Sequence, residues 1–354
     1  MEKIRVVVVG TGNVSSYAIG AFARKQGYEL VGVWAHAETA GQDIGQDAGY
    51  IRFAGGIQTG VTVTGDMDEL IALKPDCAFI GVNGPNLEDI AVPIAEKFLL
   101  AGINVVGTSL STMISPDTYL DQSRMDIIRN ACEKGQSSFF MSGIHPGFSC
   151  DYLVSTLLSV ADCVDSVRAI EICDYSMAPN EFEMKTGRGF GMPTDYVAVC
   201  ENPMFMRATW GPCVDLIAKS LGYQVEEYKT SYEKALTDHD LPVGYGVIPA
   251  GTVGAVRLTI TGVINGKDAI TVGAVNRMGA DVAPEWEFAP GMVYRITIKG
   301  APNLNCDFSA NDQAWGYSMV CMRALNAIPQ VVKAAPGVLT SLDLYNTATI
   351  NAFG

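Results

Sequence analysis

The sequence lacks three features that would place it in large classes of protein. It has no cluster of basic residues, since Lys and Arg number 24 against 38 Asp and Glu and the net charge is −14. A nucleic-acid-binding protein needs a basic face to neutralise phosphates, so that class is excluded. No uncharged apolar run reaches roughly 18 residues, so we expect neither a membrane-spanning helix nor a membrane partner. The N-terminus enters an apolar segment without a signal-peptide pattern, which predicts a cytoplasmic protein.

Cysteine and histidine also lack the spacing of a metal site. The nine cysteines are scattered without a C-x-x-C motif, and His36, His145 and His239 lie far apart. This spacing predicts no zinc site. Most cysteines stand among apolar residues, which predicts reduced thiols in the core.

The first part of the chain alternates between apolar strands and helical segments. Residues 4–9 (IRVVVV) form a β-branched run, typical of a strand buried on both faces of a parallel sheet. Similar runs recur at ELVGVWAH, DCAFIGV, INVVGT and SSFFMSG, with helical segments between them. The alternation predicts an α/β fold with a doubly wound parallel sheet.

The pattern changes after residue 148. Two alternating runs flank Asn265-Gly266-Lys267, which predicts a β-hairpin, and residues 202–221 are predicted to be helical. Residues 230–252 are predicted to be irregular and to cover a site. We expect a dinucleotide-binding domain over 1–148 and an α+β substrate and dimerisation domain with a mixed sheet over 149–312. Residues 313–354 are expected to pack back on the first domain, with a helix interrupted at Pro329.

A glycine-rich loop follows the first strand and opens a helix. Gly10 permits a tight turn, Gly12 lets a pyrophosphate approach the backbone, and Ser15 is small enough for helix–strand packing. The helix N-terminus offers free N–H groups. The context of strand, turn and helix predicts a dinucleotide site, the alternative being a structural turn. The loop residues assigned to this site are Gly10, Thr11, Gly12, Asn13, Val14 and Ser15.

The second strand ends without the acid that a NAD-specific site commonly has. Ala35 and His36 occupy the region where Asp or Glu would bond the ribose 2′-OH. The missing acid removes repulsion against a 2′-phosphate, yet no Arg follows to bind that group. We expect His36 to stack on adenine or contact the 2′-phosphate, or else to be a surface histidine. The cofactor is therefore NADP or NAD, and the residues favour NADP or dual use.

Ligands of doubly wound sheets bind outside the carboxyl ends of the strands. Two loops at such strand ends are predicted to complete the cofactor site. Their residues are Gly81, Val82, Asn83, Thr108 and Ser109.

Five residues at the domain junction and in the second domain are candidates for chemistry. His145 is the predicted acid–base catalyst because imidazole titrates near neutral pH; the alternative is a structural histidine in a turn. Glu171 and Tyr175 lie along one strand and are further catalytic candidates, unless they face solvent. Asp151 and Arg188 are predicted to bind substrate. Asp151 otherwise serves a helix dipole, and Arg188 lies in the run TGRGFGMP, which suits a lid that holds a carboxylate or an exposed loop.

Four segments together resemble a known family. They are VVVVGTGNVSSYAI, AGINVVGTS, GIHPGFSCD and NAIPQVVKAAPGVLTSLDL, and they span nearly the whole chain. Their order resembles the dihydrodipicolinate reductase-like superfamily, in particular its 2,4-diaminopentanoate dehydrogenase and native amine dehydrogenase branch. The resemblance implies a Rossmann domain, a substrate domain with a mixed sheet, a homodimer or homotetramer, and hydride transfer between a nicotinamide and a C=N or C=O carbon.

The chain departs from that family at two places. It has no His-His pair of the kind that dihydrodipicolinate reductases use, which argues against that activity. The amine dehydrogenases have a Glu shortly after the strand that matches NVVGT, where this chain has Thr108-Ser109-Leu110-Ser111. This difference predicts poor reductive amination.

Three functional hypotheses follow. The first is an NAD(P)H-dependent oxidoreductase that transfers a hydride to a C=O, C=N or activated C=C bond of a small molecule. The second is an amine dehydrogenase that uses another base. The third, from a different class, is a non-catalytic NAD(P)-binding sensor, since the family's acid–base residues are missing.

Overall fold

A computed structural model describes residues 2–84, 86–311 and 316–344. The chain forms two compact units, one made of Met1–Ile144 with Gly316–Gly354 and the other of His145–Trp315. Within the described residues, no helix combines the length and the apolar character needed to cross a membrane.

Strands and helices alternate along the first unit. In chain order they are β1 (Ile4–Val9), α1 (Asn13–Arg24), β2 (Tyr28–Trp34), α2 (Ala37–Ala40), β3 (Val63–Thr64), α3 (Met67–Ala72), β4 (Cys77–Ile80), α4 (Leu87–Leu100), β5 (Asn104–Gly107), α5 (Gln122–Gly135) and β6 (Ser138–Met141). Strands β4 and β6 are buried throughout, as are the last four residues of β1. Continuous burial of this kind is what a parallel sheet covered on both faces requires.

The second unit is built around one mixed sheet. Its elements are α6 (Tyr152–Leu158), β7 (Cys163–Asp174), α7 (Pro203–Thr209), α8 (Gly211–Ser220), β8 (Glu227–Leu236), β9 (Leu241–Val243), β10 (Gly246–Ile248), β11 (Val253–Ile264), β12 (Lys267–Arg277), β13 (Met292–Ala301) and β14 (Leu304–Ala310). The sheet order is β14-β13-β7-β12-β11-β8, and β9 pairs with β10 separately. Only the pairing of β7 with β12 is parallel in this described sheet.

The chain then returns to the first unit with α9 (Tyr317–Val331) and β15 (Gly337–Leu339). Strand β15 pairs with β6, and α9 packs against α1. The parallel sheet has the order β15-β6-β5-β4-β1-β2-β3. The order reverses between β1 and β4, which is the switch point where such sheets bind ligands. The predicted fold class, a doubly wound parallel sheet followed by an α+β unit with a mixed sheet, is confirmed.

One segment of the second unit differs from its prediction. Residues 230–252 were expected to be irregular, but they include most of the edge strand β8 and the hairpin of β9 and β10. Alternate residues of β8 are half-buried, and these include Tyr228, Thr230, Tyr232 and Lys234. An edge strand with so few aliphatic side chains carries little of the apolar signal from which strands are recognised.

Helix α9 continues through Pro329, where the sequence predicts an interruption. Proline has no N–H to donate to the carbonyl four residues earlier, which here belongs to Leu325. The buried Tyr28 hydroxyl donates a hydrogen bond to that carbonyl oxygen over 3.3 Å. The Tyr28 side chain thus replaces the hydrogen bond that Pro329 cannot make.

Candidate functional site

The phosphate loop lies between β1 and α1. Gly10 has a φ of +109°, and a Cβ there would lie 3.1 Å from Ser15 Oγ. Gly12 has a φ of −67° and is the N-cap of α1, without a side-chain cap. No heavy atom of its described surroundings would lie within 4 Å of a Cβ on Gly12. The first N–H groups of α1 and the positive end of its dipole therefore border open space, and this cradle fits the pyrophosphate of a dinucleotide.

Ser15 joins the helix to the neighbouring strand end. Its hydroxyl donates a hydrogen bond to the Gly81 carbonyl oxygen at 3.0 Å, which spans the switch point between β1 and β4. A Cβ on Gly81 would lie 2.2 Å from Ser15 Oγ, so this approach requires glycine at position 81. The buried Ser109 hydroxyl contacts the carbonyl oxygens of Ile80 and Val82 at 3.2 and 2.7 Å. These bonds hold the ends of β4 and β5 together.

The remaining predicted cofactor residues of the strand-end loops surround the same edge. Asn13 and Val14 are half-buried in the first turn of α1. Asn83 is exposed after β4, and the Thr108 N–H donates to the Ile80 carbonyl oxygen at 3.1 Å. The structure therefore gathers both strand-end loops around the phosphate loop, within the first unit.

At the end of β2, His36 has a local structural role. Its Nδ1 accepts a hydrogen bond from the Glu38 N–H at 3.3 Å and so caps α2. The His36 ring meets Trp34 edge-to-face, with 5.8 Å between centroids. Ala35 is buried and its N–H donates to the Thr64 carbonyl oxygen at 2.9 Å. The predicted contact of Ala35 with the nucleotide remains a prediction, as does that of His36.

In the second unit, Glu171, Tyr175, Arg188 and Asn276 form a polar group that we call the Glu171 cluster. Glu171 is 6% exposed and lies near the end of β7. Its Oε1 accepts hydrogen bonds from the Tyr175 hydroxyl at 3.1 Å and from Asn276 Nδ2 at 2.9 Å. Arg188 Nε donates to Asn276 Oδ1 at 3.2 Å, and its guanidinium lies 4.9 Å from the centre of the Tyr175 ring.

The Glu171 cluster leaves one acceptor oxygen available. Within the described part of the chain, Glu171 Oε2 receives no hydrogen bond. Burial, followed by the charge of Glu171, raises the pKa of Tyr175 well above its usual value, so the phenol remains a donor. Arg188 also pairs with Glu183 at 3.0 Å. A ligand with an N–H group could therefore bind Oε2 while Tyr175 and Asn276 hold Oε1 in place.

His145, the predicted acid–base catalyst, has both ring nitrogens occupied. Nε2 lies 2.9 Å from the Gly273 carbonyl oxygen, so it carries the proton and donates, and Nδ1 lies 3.0 Å from Ser149 Oγ. Burial opposes the charged form, but the neighbouring Cys150 raises the pKa of His145 to about 9. The chain thus holds His145 through three partners, and its catalytic role remains a prediction.

Two residues near His145 are bound by local contacts. Cys150 is buried with its Sγ 3.1 Å from that of Cys213, and both thiols are free. Asp151 is 1% exposed and caps α6, where it accepts a hydrogen bond from the Tyr152 N–H. This is the helix role that the sequence offered as the alternative to substrate binding.

The structure adds a site residue that the sequence prediction missed. Asn276 is fully buried, and its signal is an amide at the end of the mostly apolar run AITVGAVN. A cavity of about 400 Å³ lies at the other end of β7 and β12, bordered by Asp165, Tyr223 and Asn265, and contains none of the Glu171 cluster.

Seven of the nine cysteines are buried, as predicted; Cys163 and Cys306 are not.

Comparison with known families agrees with the cradle and the parallel sheet. The model for the oxidoreductase family, NAD-binding Rossmann fold, matches residues 4–107. The chain is an NAD(P)-dependent dehydrogenase with a small-molecule substrate. The model for the 2,4-diaminopentanoate dehydrogenase C-terminal domain matches residues 148–353, more than half of the chain. The chain belongs to this family, which confirms the resemblance predicted from its motifs.

Relatives and solved structures of similar length support this assignment. An amine dehydrogenase of Streptomyces virginiae is 28% identical over 360 aligned positions, which cover 99% of each chain. A 2,4-diaminopentanoate dehydrogenase of Acetoanaerobium sticklandii is 25% identical over 351 positions, covering 97% of this chain and 94% of the relative. The solved amine dehydrogenase from Mycobacterium smegmatis shares the fold, with a TM-score of 0.77, 21% identity and 99% coverage of both chains.

Proposed function

We propose that this dehydrogenase acts on small primary amines, with Glu171 as the carboxylate that binds the ammonium group and takes its proton. The observation that carries this proposal is the free Oε2 of a carboxylate that is otherwise buried and hydrogen-bonded. An ammonium group offers three donors and no acceptor, which makes it complementary to that oxygen. The two relatives that align over almost their whole length are by name an amine dehydrogenase and a 2,4-diaminopentanoate dehydrogenase, which supports the same substrate class.

The Glu171 cluster suits proton removal. A nicotinamide cofactor supplies or accepts the hydride. The amine nitrogen must lose a proton before the neighbouring carbon can become an iminium carbon, and a positioned carboxylate is a competent base. Arg188 lies beside Asn276 and Tyr175, and its Nη2 has no partner among the described residues. It suits a second, acidic group of the substrate, such as a carboxylate.

A second candidate function is reduction of a carbonyl group without ammonia. It rests on Thr108–Ser111, where the chain has no acid, and on the Ser109 hydroxyl, which is bonded to backbone carbonyl oxygens. His145 would then be the proton donor predicted from the sequence. The two functions differ in their need for ammonia, so one assay separates them.

The decisive assay follows the oxidation of NADH and NADPH with a panel of small ketones, with and without ammonium. The amine proposal requires turnover that depends on ammonium, and NAD(P)⁺ reduction with the matching amines. Glu171→Gln keeps the size and one acceptor but removes the base, so we expect kcat to fall by about 10²–10⁴-fold while the Kd for the cofactor stays unchanged.

The control variant is Glu287→Gln. Glu287 is a carboxylate of the same unit that accepts two hydrogen bonds from Arg168. Arg168 lies in β7 three positions before Glu171, so the two side chains are on opposite faces of the strand. This variant should keep the wild-type rate. Ammonium-independent reduction of a ketone would replace the amine proposal with the second candidate, and binding of the cofactor without any turnover would contradict both.

Two finer properties are also part of the proposal. The family resemblance implies a homodimer or homotetramer, which light scattering on the purified protein tests directly. The second property is the choice between NAD and NADP. At Ala35 and His36 no acid repels a 2′-phosphate, so these two residues by themselves accept NADP as well as NAD.

A further inference from the structure

A buried carboxylate contacts the phosphate loop from a segment that sequence patterns do not connect with it. Thr11, between the two glycines of the loop, donates a hydrogen bond from Oγ1 to Asp43 Oδ2 at 2.5 Å. Both residues are almost fully buried, with exposures of 3% for Thr11 and 7% for Asp43. Asp43 follows the end of β2 by nine positions, too far to be recognised as the usual strand-end acid.

Local structure brings Asp43 back to the strand ends. His36 caps the short helix α2, and a 3₁₀ turn over Gly41–Asp43 follows directly. The next residues run beside β3: the Gly45 N–H donates to the Val63 carbonyl oxygen at 2.9 Å. Because β3 pairs with β2, the turn that ends at Asp43 is anchored beside the strand whose end lacks an acid.

The carboxylate of Asp43 keeps an oxygen for a ligand. Oδ2 accepts the Thr11 hydrogen bond, whereas Oδ1 receives none from residues 2–84, 86–311 or 316–344. In sites of this fold, an acid at the end of the second strand accepts the hydroxyl groups of the adenosine ribose. A buried negative charge in contact with the phosphate loop would disfavour a 2′-phosphate on that ribose, because two like charges repel strongly in a region of low dielectric.

We propose that Asp43 replaces the missing strand-end acid, binds the adenosine ribose hydroxyls and makes NAD the preferred cofactor over NADP. The inference rests on the dehydrogenase function of the same site, but not on which substrate is oxidised. It also reverses the cofactor preference predicted from Ala35 and His36, which was NADP or dual use. Neither of those residues is an acid, and in this proposal Asp43, from the 3₁₀ turn that follows α2, supplies the carboxylate instead.

The test is direct binding rather than turnover. The Kd values of NADH and NADPH are measured by the change in nicotinamide fluorescence, for the wild type and for Asp43→Asn. Asparagine keeps an acceptor for Thr11 but loses the charge. We expect the wild type to bind NADH at least tenfold more tightly than NADPH. Asp43→Asn should change the ratio of the two Kd values by tenfold or more in favour of NADPH, with the unfolding temperature within about 2 °C of wild type.

Asp47→Asn is the matched control. Asp47 lies in the same segment, but its carboxylate accepts hydrogen bonds from Gly49, Thr59 and Gly60 and does not contact the phosphate loop. It should affect stability and leave the ratio of the Kd values unchanged. An unchanged ratio in a folded Asp43→Asn protein, or a wild type that prefers NADPH, would overturn the role of Asp43 while the dehydrogenase function stands. Failure of the wild type to bind either nucleotide would instead contradict the dehydrogenase function itself.

Discussion

At the scale of single residues, the open space above Gly12 allows a sharp test of the cradle. A Cβ at this position would have no neighbour within 4 Å, and the φ of −67° suits a residue with a side chain, so we expect Gly12→Val to fold. The branched side chain would occupy the place of the pyrophosphate. We expect the Kd for NADH to rise by well over tenfold, equivalent to more than about 1.4 kcal/mol, as measured by calorimetric titration.

The control for this variant is Gly187→Val. Gly187 has the Glu183 side chain at 3.8 Å from its would-be Cβ and no positive φ, so it tolerates the same substitution far from the loop in sequence. It should bind NADH like the wild type. Normal binding by a folded Gly12→Val protein would show that the pyrophosphate lies elsewhere.

The residues of the site differ in how far the sequence could predict them. The phosphate loop could be predicted because strand, glycines and helix are adjacent in the chain, so local geometry fixes their arrangement. Asp43 could not, since its approach to Thr11 depends on a short helix, a 3₁₀ turn and the pairing of β3. Asn276 reaches Glu171 from a strand more than a hundred residues away, and no spacing rule relates the two.

At the scale of secondary-structure elements, α9 depends on a side chain from β2. Tyr28→Phe keeps the ring, which packs edge-to-face on Phe22 with 5.2 Å between centroids, but removes the hydroxyl. The Leu325 carbonyl then loses the donor that substitutes for the N–H of Pro329. We expect the free energy of unfolding to fall by about 1–2 kcal/mol in urea titrations, because a buried acceptor is left unsatisfied.

The double variant Tyr28→Phe, Pro329→Ala completes this test. Alanine at position 329 restores an N–H that can bond to Leu325, so the cost of removing the hydroxyl should shrink in that background. An equal loss with proline and with alanine at this position would mean that the hydroxyl stabilises the protein through some other contact.

The same element shows why some of the fold escaped prediction from the sequence. Proline disrupts a helix less when another donor pairs with the carbonyl that it frees, and here that donor, Tyr28, lies far away in sequence. Strand β1 was predicted at its observed bounds because five of its six residues are β-branched and apolar, and its last four residues are indeed buried in a row. Strand β8 was missed because its pairing with β11, not its own apolar content, makes it a strand.

At the scale of the whole molecule, the net charge of −14 leaves carboxylates in excess, and two arginines on the sheet of the second unit form ion pairs with them. Arg257 pairs with Glu233 through bonds of 2.8 and 2.6 Å, and Arg295 pairs with Asp307 through bonds of 2.9 and 2.7 Å. Both pairs join residues directly opposite each other on adjacent strands. The arginine hydrogen bonds lower the pKa of Glu233 and that of Asp307 below their usual values.

These pairs predict a specific loss of stability in acid. A carboxylate with a lowered pKa in the folded state stabilises the protein fully above its ordinary pKa of 4.5 for Glu or 3.8 for Asp, and the contribution is lost as the pH falls through the lowered value. The variant Glu233→Gln, Asp307→Asn should therefore be less stable than wild type at pH 7. Since both carboxylates are almost half exposed, we expect a difference of only about 0.5–2 kcal/mol for the two together.

That difference should begin to shrink once the pH falls below the ordinary pKa values of 4.5 and 3.8, and it should also shrink at high salt, because protonation and screening both weaken the interaction with arginine. Urea unfolding of wild type and variant across pH 3–7 measures it. Asp195→Asn, at an exposed carboxylate with no ion pair among the described residues, should follow the wild-type curve at every pH. If the double variant has the same deficit in the free energy of unfolding at acidic and neutral pH, its effect does not come from the charges, because protonation removes only these. The deficit would then come from packing of the side-chain stems across the strands.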